Sequence, residues 1–209
     1  MRSTLLTVLR SRAWLAVGLS VLTALALLIV FTAPTERTLG AAIRWVYVHV
    51  ALTWTGMAAL AVAGGLGLVL LVSGRLGLRD WMTTVGGLGL GFFAAGLVMS
   101  AFAAGATWGG MFWDEPRTRA NLQVLAVGVI VVVAGPWLGR PRWQGVLFLA
   151  LFAWMIVALA VAPLLLHPRN PILSSPSSAF RTTFASLFGL GALAAAWLTA
   201  HLRLRAPQT

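Results

Sequence analysis

The sequence predicts an all-α integral membrane bundle of six transmembrane helices. Of its 209 residues, 60% are hydrophobic and only 9% are charged, whereas an ordinary soluble domain carries about 25% charged residues. The charged residues divide the chain into six long uncharged stretches, and a helix of about 20 apolar residues crosses the ~30 Å of a bilayer core. We therefore predict one domain over residues 1–209, with spans near residues 13–33, 50–72, 82–105, 121–139, 144–166 and 183–201.

The first predicted span follows Arg2, Arg10 and Arg12. Its apolar run is longer than the roughly 7 to 15 residues of a signal-peptide core, so we expect a retained anchor. With the N-terminus inside, nine arginines lie in inner segments and six lie in outer segments. Because the positive-inside rule counts such residues near span ends, it predicts that both termini are cytoplasmic.

Glycine is concentrated in the second and third predicted spans, where Gly87 and Gly91 form a small-xxx-small step. Small residues let helices approach closely in lipid, so we interpret these glycines as packing positions. On a helix, Trp45, His49 and Thr53 share one face. The stretch that contains them is longer than a span requires, so we expect its first turns to reach the outer headgroup layer and to place His49 at the membrane surface.

Two missing residue types exclude several kinds of chemistry. The chain contains no lysine, which rules out a Walker A phosphate loop and Schiff-base catalysis. It contains no cysteine, which rules out disulfides, thiolate metal sites and a C-x-x-C-H attachment motif. The arginines form no single basic stripe, so nucleic acid is not an expected partner. No charged residue lies in the middle of a predicted span, which disfavours an ion-coupled transporter. We therefore expect any chemistry to lie at the ends of the helices.

The loop between the third and fourth predicted spans is the most distinctive stretch in the chain. Trp108, Phe112 and Trp113 lie on it among glycines, where their flat faces could contact a planar ligand. Arg117 and Arg119 follow, and guanidinium groups suit carboxylates. The alternative is an ordinary aromatic belt with interfacial charges, which residue types alone favour because membrane proteins commonly have one.

A further outer segment follows the fifth predicted span and begins at His167. We predict that His167 ends the fifth helix, because Pro168 cannot continue it. His201 lies on the opposite side and is interpreted as a solvated tail residue. Together, His49 and His167 could supply the two axial ligands of a haem iron. The aromatic loop would then face the porphyrin, and its propionates would face one or more of four arginines: Arg117, Arg119, Arg44 or Arg181.

These segments, in this order, resemble those of the CcmC and CcsA haem-handling proteins, in which a tryptophan-rich external loop is flanked by two haem-ligating histidines. The segment around His49 is similar to the first-histidine segment of CcmC, and the one that begins at His167 is similar to the second. The loop departs from the usual pattern W-G-x-x-W-x-W-D-x-R/K, because Phe112 replaces one tryptophan. Either Asp114 or Glu115 matches the acidic position, and on this resemblance Asp114 joins the predicted haem site.

The resemblance implies a non-catalytic protein that binds haem b transiently and non-covalently at the outer or periplasmic face of the cytoplasmic (inner) membrane. It would present the haem to the haem chaperone CcmE, together with the membrane subunit CcmB, the ATPase CcmA and optionally CcmD. One alternative is a scaffold or permease subunit whose aromatic loop docks partner proteins without binding haem. A membrane-embedded enzyme is the weaker alternative, because no nucleophile and base pair stands out beside Asp114 and Glu115.

Overall fold

The computed structural model of the protein describes residues 2–167 and 175–205. Within these residues it contains helices and no β-strand, and six of the helices are long and apolar enough to cross a membrane. This confirms the predicted all-α fold with six spans. In chain order the helices are α1 (Arg2–Arg10), α2 (Arg12–Thr32), α3 (Ile43–Ser73), α4 (Leu78–Trp108), α5 (Pro116–Ala134, continued by a 3₁₀ turn at Gly135–Leu138), α6 (Pro141–Val161) and α7 (Ser178–Arg205).

The main differences from the predicted elements concern α1 and the end of α6. Helix α1 is a separate nine-residue helix that the sequence analysis did not predict. Helix α6 ends at Val161, earlier than predicted, because Ala162 precedes Pro163 and takes an extended ψ of 121°; the residue before a proline is disfavoured in the helical region. The prediction that His167 ends this helix is therefore wrong, since His167 lies on the non-helical segment that follows. Pro168, the predicted helix stop, lies outside the described residues.

Helix α3 is the centre of the bundle and packs against α2, α4, α6 and α7. Its 31 residues extend about 46 Å at 1.5 Å per residue, which exceeds the ~30 Å of a bilayer core. His49 lies in the second turn of this helix, and its placement at the membrane surface stays a prediction. The buried core around α3 includes Leu60, Met82, Val124, Phe148 and Met155.

The close approach of α3 and α4 requires glycine at the contact. A Cβ atom added to Gly56 would lie 2.4 Å from a backbone nitrogen of α4, and one added to Gly96 would lie 2.4 Å from Oγ1 of Thr53. A larger residue at either position would force the two helices apart. The predicted step at Gly87 and Gly91 is not part of this contact, because a Cβ atom at either residue would meet open space among the described residues.

The two ends of the bundle differ in how their polar groups are paired. We name the end where α1 meets the last turn of α7 the tail end, and the opposite end, which holds His49 and the α4–α5 loop, the cavity end. The cytoplasmic placement of the tail end stays a prediction. At the tail end, Nε of Arg79 donates to Oε1 of the buried Gln144 at 2.9 Å, and Arg203 pairs with Asp80 at 2.9 Å.

His201 belongs to this set of paired groups. Its Nδ1 lies 2.9 Å from the carbonyl oxygen of Leu9, and the residue is only 5% exposed. The prediction of a solvated tail residue is therefore wrong. The last carbonyl groups of a helix have no partner within that helix, and His201 satisfies one of them at the end of α1.

Candidate functional site

A cavity of about 350 Å³ lies at the cavity end, between α3, α4, α5, α7 and the segment that follows α6. Its volume falls within the roughly 300–1,000 Å³ that is usual for small-molecule sites. His49 and His167 both line this cavity. The fold therefore brings together two imidazole side chains that are far apart in the sequence.

His49 is held in place by α4. Its Nδ1 lies 2.8 Å from the carbonyl oxygen of Gly96, and because a carbonyl oxygen can only accept a hydrogen bond, Nδ1 is the donor. In the neutral ring, this leaves a lone pair on Nε2. The missing side chain of Gly96 allows Thr53 to pack directly against α4. Thr53 also lines the cavity, whereas Trp45, predicted to share the same helix face, stacks on Phe102 with ring centroids 5.7 Å apart.

His167 lies beside a buried carboxylate. Its Nδ1 is 3.1 Å from Oε1 of Glu115, a residue that is 4% exposed. The two atoms are at ion-pair distance, but they lack the alignment of a hydrogen bond, so neither has a hydrogen-bond partner within the described part of the chain. The ring of His167 also meets the ring of Trp108 edge to face, with centroids 5.2 Å apart and planes at 84°.

Only the first of the three aromatic residues predicted to bind a planar ligand lines the cavity. Trp108 is the last residue of α4, which ends there because Gly109 takes a left-handed φ of 80°. The rings of Trp108 and Phe112 are 6.3 Å apart, but neither Phe112 nor Trp113 is a lining residue. These two residues are 47% and 62% exposed, and we name them the aromatic patch.

One of the four predicted propionate-binding arginines lines the cavity. Arg117 does so from the first turn of α5, and its Nη1 donates to the carbonyl oxygen of Leu159 at 3.4 Å. This long hydrogen bond uses one of the five N–H groups of the guanidinium. Arg117 is therefore the cation that is placed to meet an anionic group in the cavity.

The other predicted charged residues lie outside the cavity. Arg119 pairs with Asp114 on the surface, where both side chains are largely exposed. Arg181 donates to a backbone carbonyl oxygen of the preceding loop at 2.7 Å. Nε of Arg44 is buried and has no hydrogen-bond partner among the described residues. Of the two acidic residues that the sequence left as alternatives, it is Glu115 that contacts a cavity histidine.

Several residues that belong to the site were not predicted from the sequence. Ser100 and Asn121 bring polar groups from α4 and α5, and Trp54 packs edge to face on Phe184 with ring centroids 5.4 Å apart. Glu115 was one of two alternatives in the sequence, and its place before a proline favours it as the start of α5, because an acidic residue there is a signal for a helix start. Residues with helical spacing on α3 predict the wall that this helix provides: Ile43, Val46, Val50, Trp54 and Met57.

Metal binding at the cavity would depend on the two imidazoles. Across residues 2–167 and 175–205, no group of three or more His, Cys, Asp or Glu side chains is placed to hold a metal ion. A haem iron differs from a bare ion because the porphyrin supplies its equatorial ligands, so that two histidines suffice. The residues of the cavity fit a haem in this respect, because they include two histidines.

The comparisons with known proteins give no family for this chain. No protein-family model matches it, and no curated protein matches it. A CcmC-like role therefore stays a proposal, and its support comes from the residues of the cavity.

Proposed function

We propose that the protein binds haem b transiently and non-covalently at its cavity end, with His49 and His167 as axial ligands of the iron. The observation that carries this proposal is that both imidazoles line one cavity, each with its Nδ1 beside an acceptor. Histidines that bind metals almost always direct their second ring nitrogen to a carboxylate, a backbone carbonyl or water. His49 has a carbonyl in that place, and His167 has a carboxylate.

Other lining residues suit the remaining parts of a haem. Trp108 offers an aromatic ring to the porphyrin, and Arg117 offers a guanidinium group to a propionate. The wall between them is largely apolar, which is usual for small-molecule sites. The bound group would supply the iron, while the side chains of the protein hold and orient it. The haem can be released again, because the sequence has no cysteine that could attach it through thioether bonds.

The aromatic patch supports transfer of the haem to another protein. Phe112 and Trp113 are exposed beside the charged pair of Asp114 and Arg119, and exposed aromatic residues with a polar rim are typical of protein interaction sites. On the resemblance to CcmC, the acceptor is the haem chaperone CcmE at the outer or periplasmic face of the inner membrane. CcmB, CcmA and optionally CcmD complete the assembly, and ATP hydrolysis belongs to CcmA because this chain has no lysine for a phosphate loop.

Purification of the full-length protein from cells with abundant haem tests the proposal. The wild-type protein is expected to carry haem with a bis-histidine absorption spectrum. His49→Ala and His167→Ala should each weaken that spectrum, and the double variant should abolish it. His201→Ala is the matched control, because this histidine also has its Nδ1 on a backbone carbonyl but lies at the tail end.

Two results would contradict the proposal. One is a wild-type protein that stays colourless under these conditions. The other is a double variant, with both cavity histidines replaced, that keeps the haem content of the wild type and still supports maturation of cytochromes c.

The exposure of the aromatic patch also favours a second candidate, a scaffold subunit that docks partner proteins without binding haem. Phe112→Ala and Trp113→Ala would then break complex assembly, while substitutions of His49 and His167 would have no effect. If the first proposal is correct, the patch variants keep their haem and the histidine variants lose it. Pull-down of the complex, together with the haem content of each variant, separates the two candidates.

A further inference from the structure

Glu115 combines two features that do not occur together in any other acidic residue, all four of which lie in the described part of the chain. Of the four acidic residues, it is the only one that is buried. It also caps α5, because its Oε2 accepts a hydrogen bond from the backbone N–H of Thr118 at 2.7 Å. Shorter side chains such as aspartate and asparagine are the preferred caps, so the cap alone does not require the additional methylene group of glutamate.

The second carboxylate oxygen of Glu115 lies beside His167. Oε1 of Glu115 and Nδ1 of His167 are both buried, both lack a hydrogen-bond partner among the described residues, and lie 3.1 Å apart. A buried polar atom without a partner is costly, and these two atoms lie within ion-pair distance of each other. The additional methylene of Glu115 therefore lets one carboxylate cap α5 and reach His167 at the same time.

We infer that Glu115 is a positioning residue that orients His167 with Nδ1 toward its carboxylate and leaves Nε2 for the ligand. An ionised carboxylate only accepts hydrogen bonds, so its position 3.1 Å from Nδ1 favours the tautomer with the proton on Nδ1. The inference rests on the proposed function, because haem is the ligand that Nε2 would meet. A carboxylate behind a ligating imidazole makes that imidazole a more basic ligand, whereas His49 has a neutral carbonyl in the same place.

Ferric haem titration of the full-length protein in nanodiscs tests this role with two complementary variants. Glu115→Asp keeps the charge and can still cap α5, but its carboxylate is one methylene shorter. Glu115→Gln keeps the length but removes the charge. Substitution of such a partner usually lowers metal affinity about 10- to 100-fold, and both variants are expected to lose about tenfold in ferric haem affinity and to shift the haem reduction potential to more positive values.

Asp80→Asn is the control, since Asp80 is an acidic residue at the tail end of the bundle, where it pairs with Arg203. It should leave the affinity and the reduction potential unchanged. If Glu115 serves only as a helix cap, Glu115→Asp will bind haem like the wild type. That result would overturn the inference.

A readout without haem keeps this inference separate from the proposed function. The chain has only three histidines, so their ¹⁵N resonances can be assigned by single substitutions, and the nitrogen shifts report the tautomer of each ring. His167 is expected to be protonated on Nδ1 in the haem-free wild type and to lose that preference in Glu115→Asp. An unchanged tautomer would overturn the positioning role even if haem binds, whereas the expected tautomer in a protein that never binds haem would overturn only the proposed function.

Discussion

The two ends of the bundle contain the same residue types but use them differently. At the tail end, His201 is buried against the chain and satisfies a carbonyl of α1, and the nearby arginines pair with Gln144 and Asp80. At the cavity end, His49 and His167 line a cavity instead of filling the space between helices. A polar side chain that pairs with a carbonyl at a helix end stabilises the fold, whereas one that lines a cavity is available to bind a ligand.

Substitution of Gly96 should have the largest effect on the cavity end. A Cβ atom there would lie 2.4 Å from Oγ1 and 2.7 Å from the backbone nitrogen of Thr53, so Gly96→Ala pushes α3 away from α4 beside His49. Overpacking of this kind costs roughly 1–3 kcal/mol, and we expect a lower unfolding temperature in detergent together with weaker haem binding. Gly91→Ala is the control on the same helix, where the added Cβ meets open space. Equal losses in the two variants would show that the contact has no special role.

Substitution of His201 should affect the tail end alone. His201→Leu leaves the carbonyl of Leu9 without its partner, and the loss of such a hydrogen bond costs about 1 kcal/mol. We expect faster hydrogen exchange in α1 and a small loss of stability, with haem content unchanged. Loss of haem comparable to that of the His49→Ala variant would contradict the contrast between the two ends.

A smaller effect is expected for the ion pair between Asp80 and Arg203. The side chains are 55% and 22% exposed, and solvent-exposed pairs contribute at most about 1 kcal/mol. Asp80→Asn should therefore reduce stability slightly at low salt, measured as thermal unfolding in detergent. The difference from the wild type should shrink as salt is added, because salt screens exposed charges. A difference that is insensitive to salt would indicate a role other than charge pairing.

The smallest effect is expected at the turn before α3. The backbone N–H of Leu39 donates to the Glu36 carboxylate at 2.8 Å, and that of Thr38 donates at 2.7 Å; these hydrogen bonds hold the pKa of Glu36 below its usual value. Because the folded pKa is lowered, the stabilisation is complete above the unfolded pKa of about 4.3 and is lost as the pH falls through the folded pKa.

Hydrogen-exchange protection of the Thr38 and Leu39 amides measures this turn directly. Protection should decrease in acid for the wild type, and Glu36→Gln should remove the pH dependence. Leu39 also lines the cavity. Protonation of Glu36 in acid would therefore loosen a turn that forms part of the cavity wall. Protection that does not change with pH would show that the carboxylate does not hold the turn.

Composition and charge spacing were sufficient to predict the six spans, because a bilayer imposes length and apolarity on every crossing segment. They did not predict α1, since helices this short are marginal by themselves and depend on packing. They also placed His167 on a helix, because Pro168 was interpreted as the helix stop although Pro163 already ends α6.

The candidate site was predictable only in part. The aromatic loop and the two histidines stand out as residue types, but the cavity that both histidines line is formed by several helices that meet only in the folded chain. The sequence also offered four arginines without distinction. Only Arg117 lines the cavity. The sequence could not single it out, because the partners that engage Arg119 and Arg181 become apparent only in the folded chain.

The early end of α6 has a consequence for the depth of the cavity in the bilayer. The 21 residues of this helix measure about 31 Å, close to the ~30 Å of hydrocarbon. Irregular backbone is not tolerated where it faces lipid tails, so we expect the segment that follows Val161 to lie at the level where lipid tails give way to headgroups. An amphiphile bound against the segment that contains His167 can therefore keep its anionic edge hydrated. It can also leave toward water without crossing the hydrocarbon core.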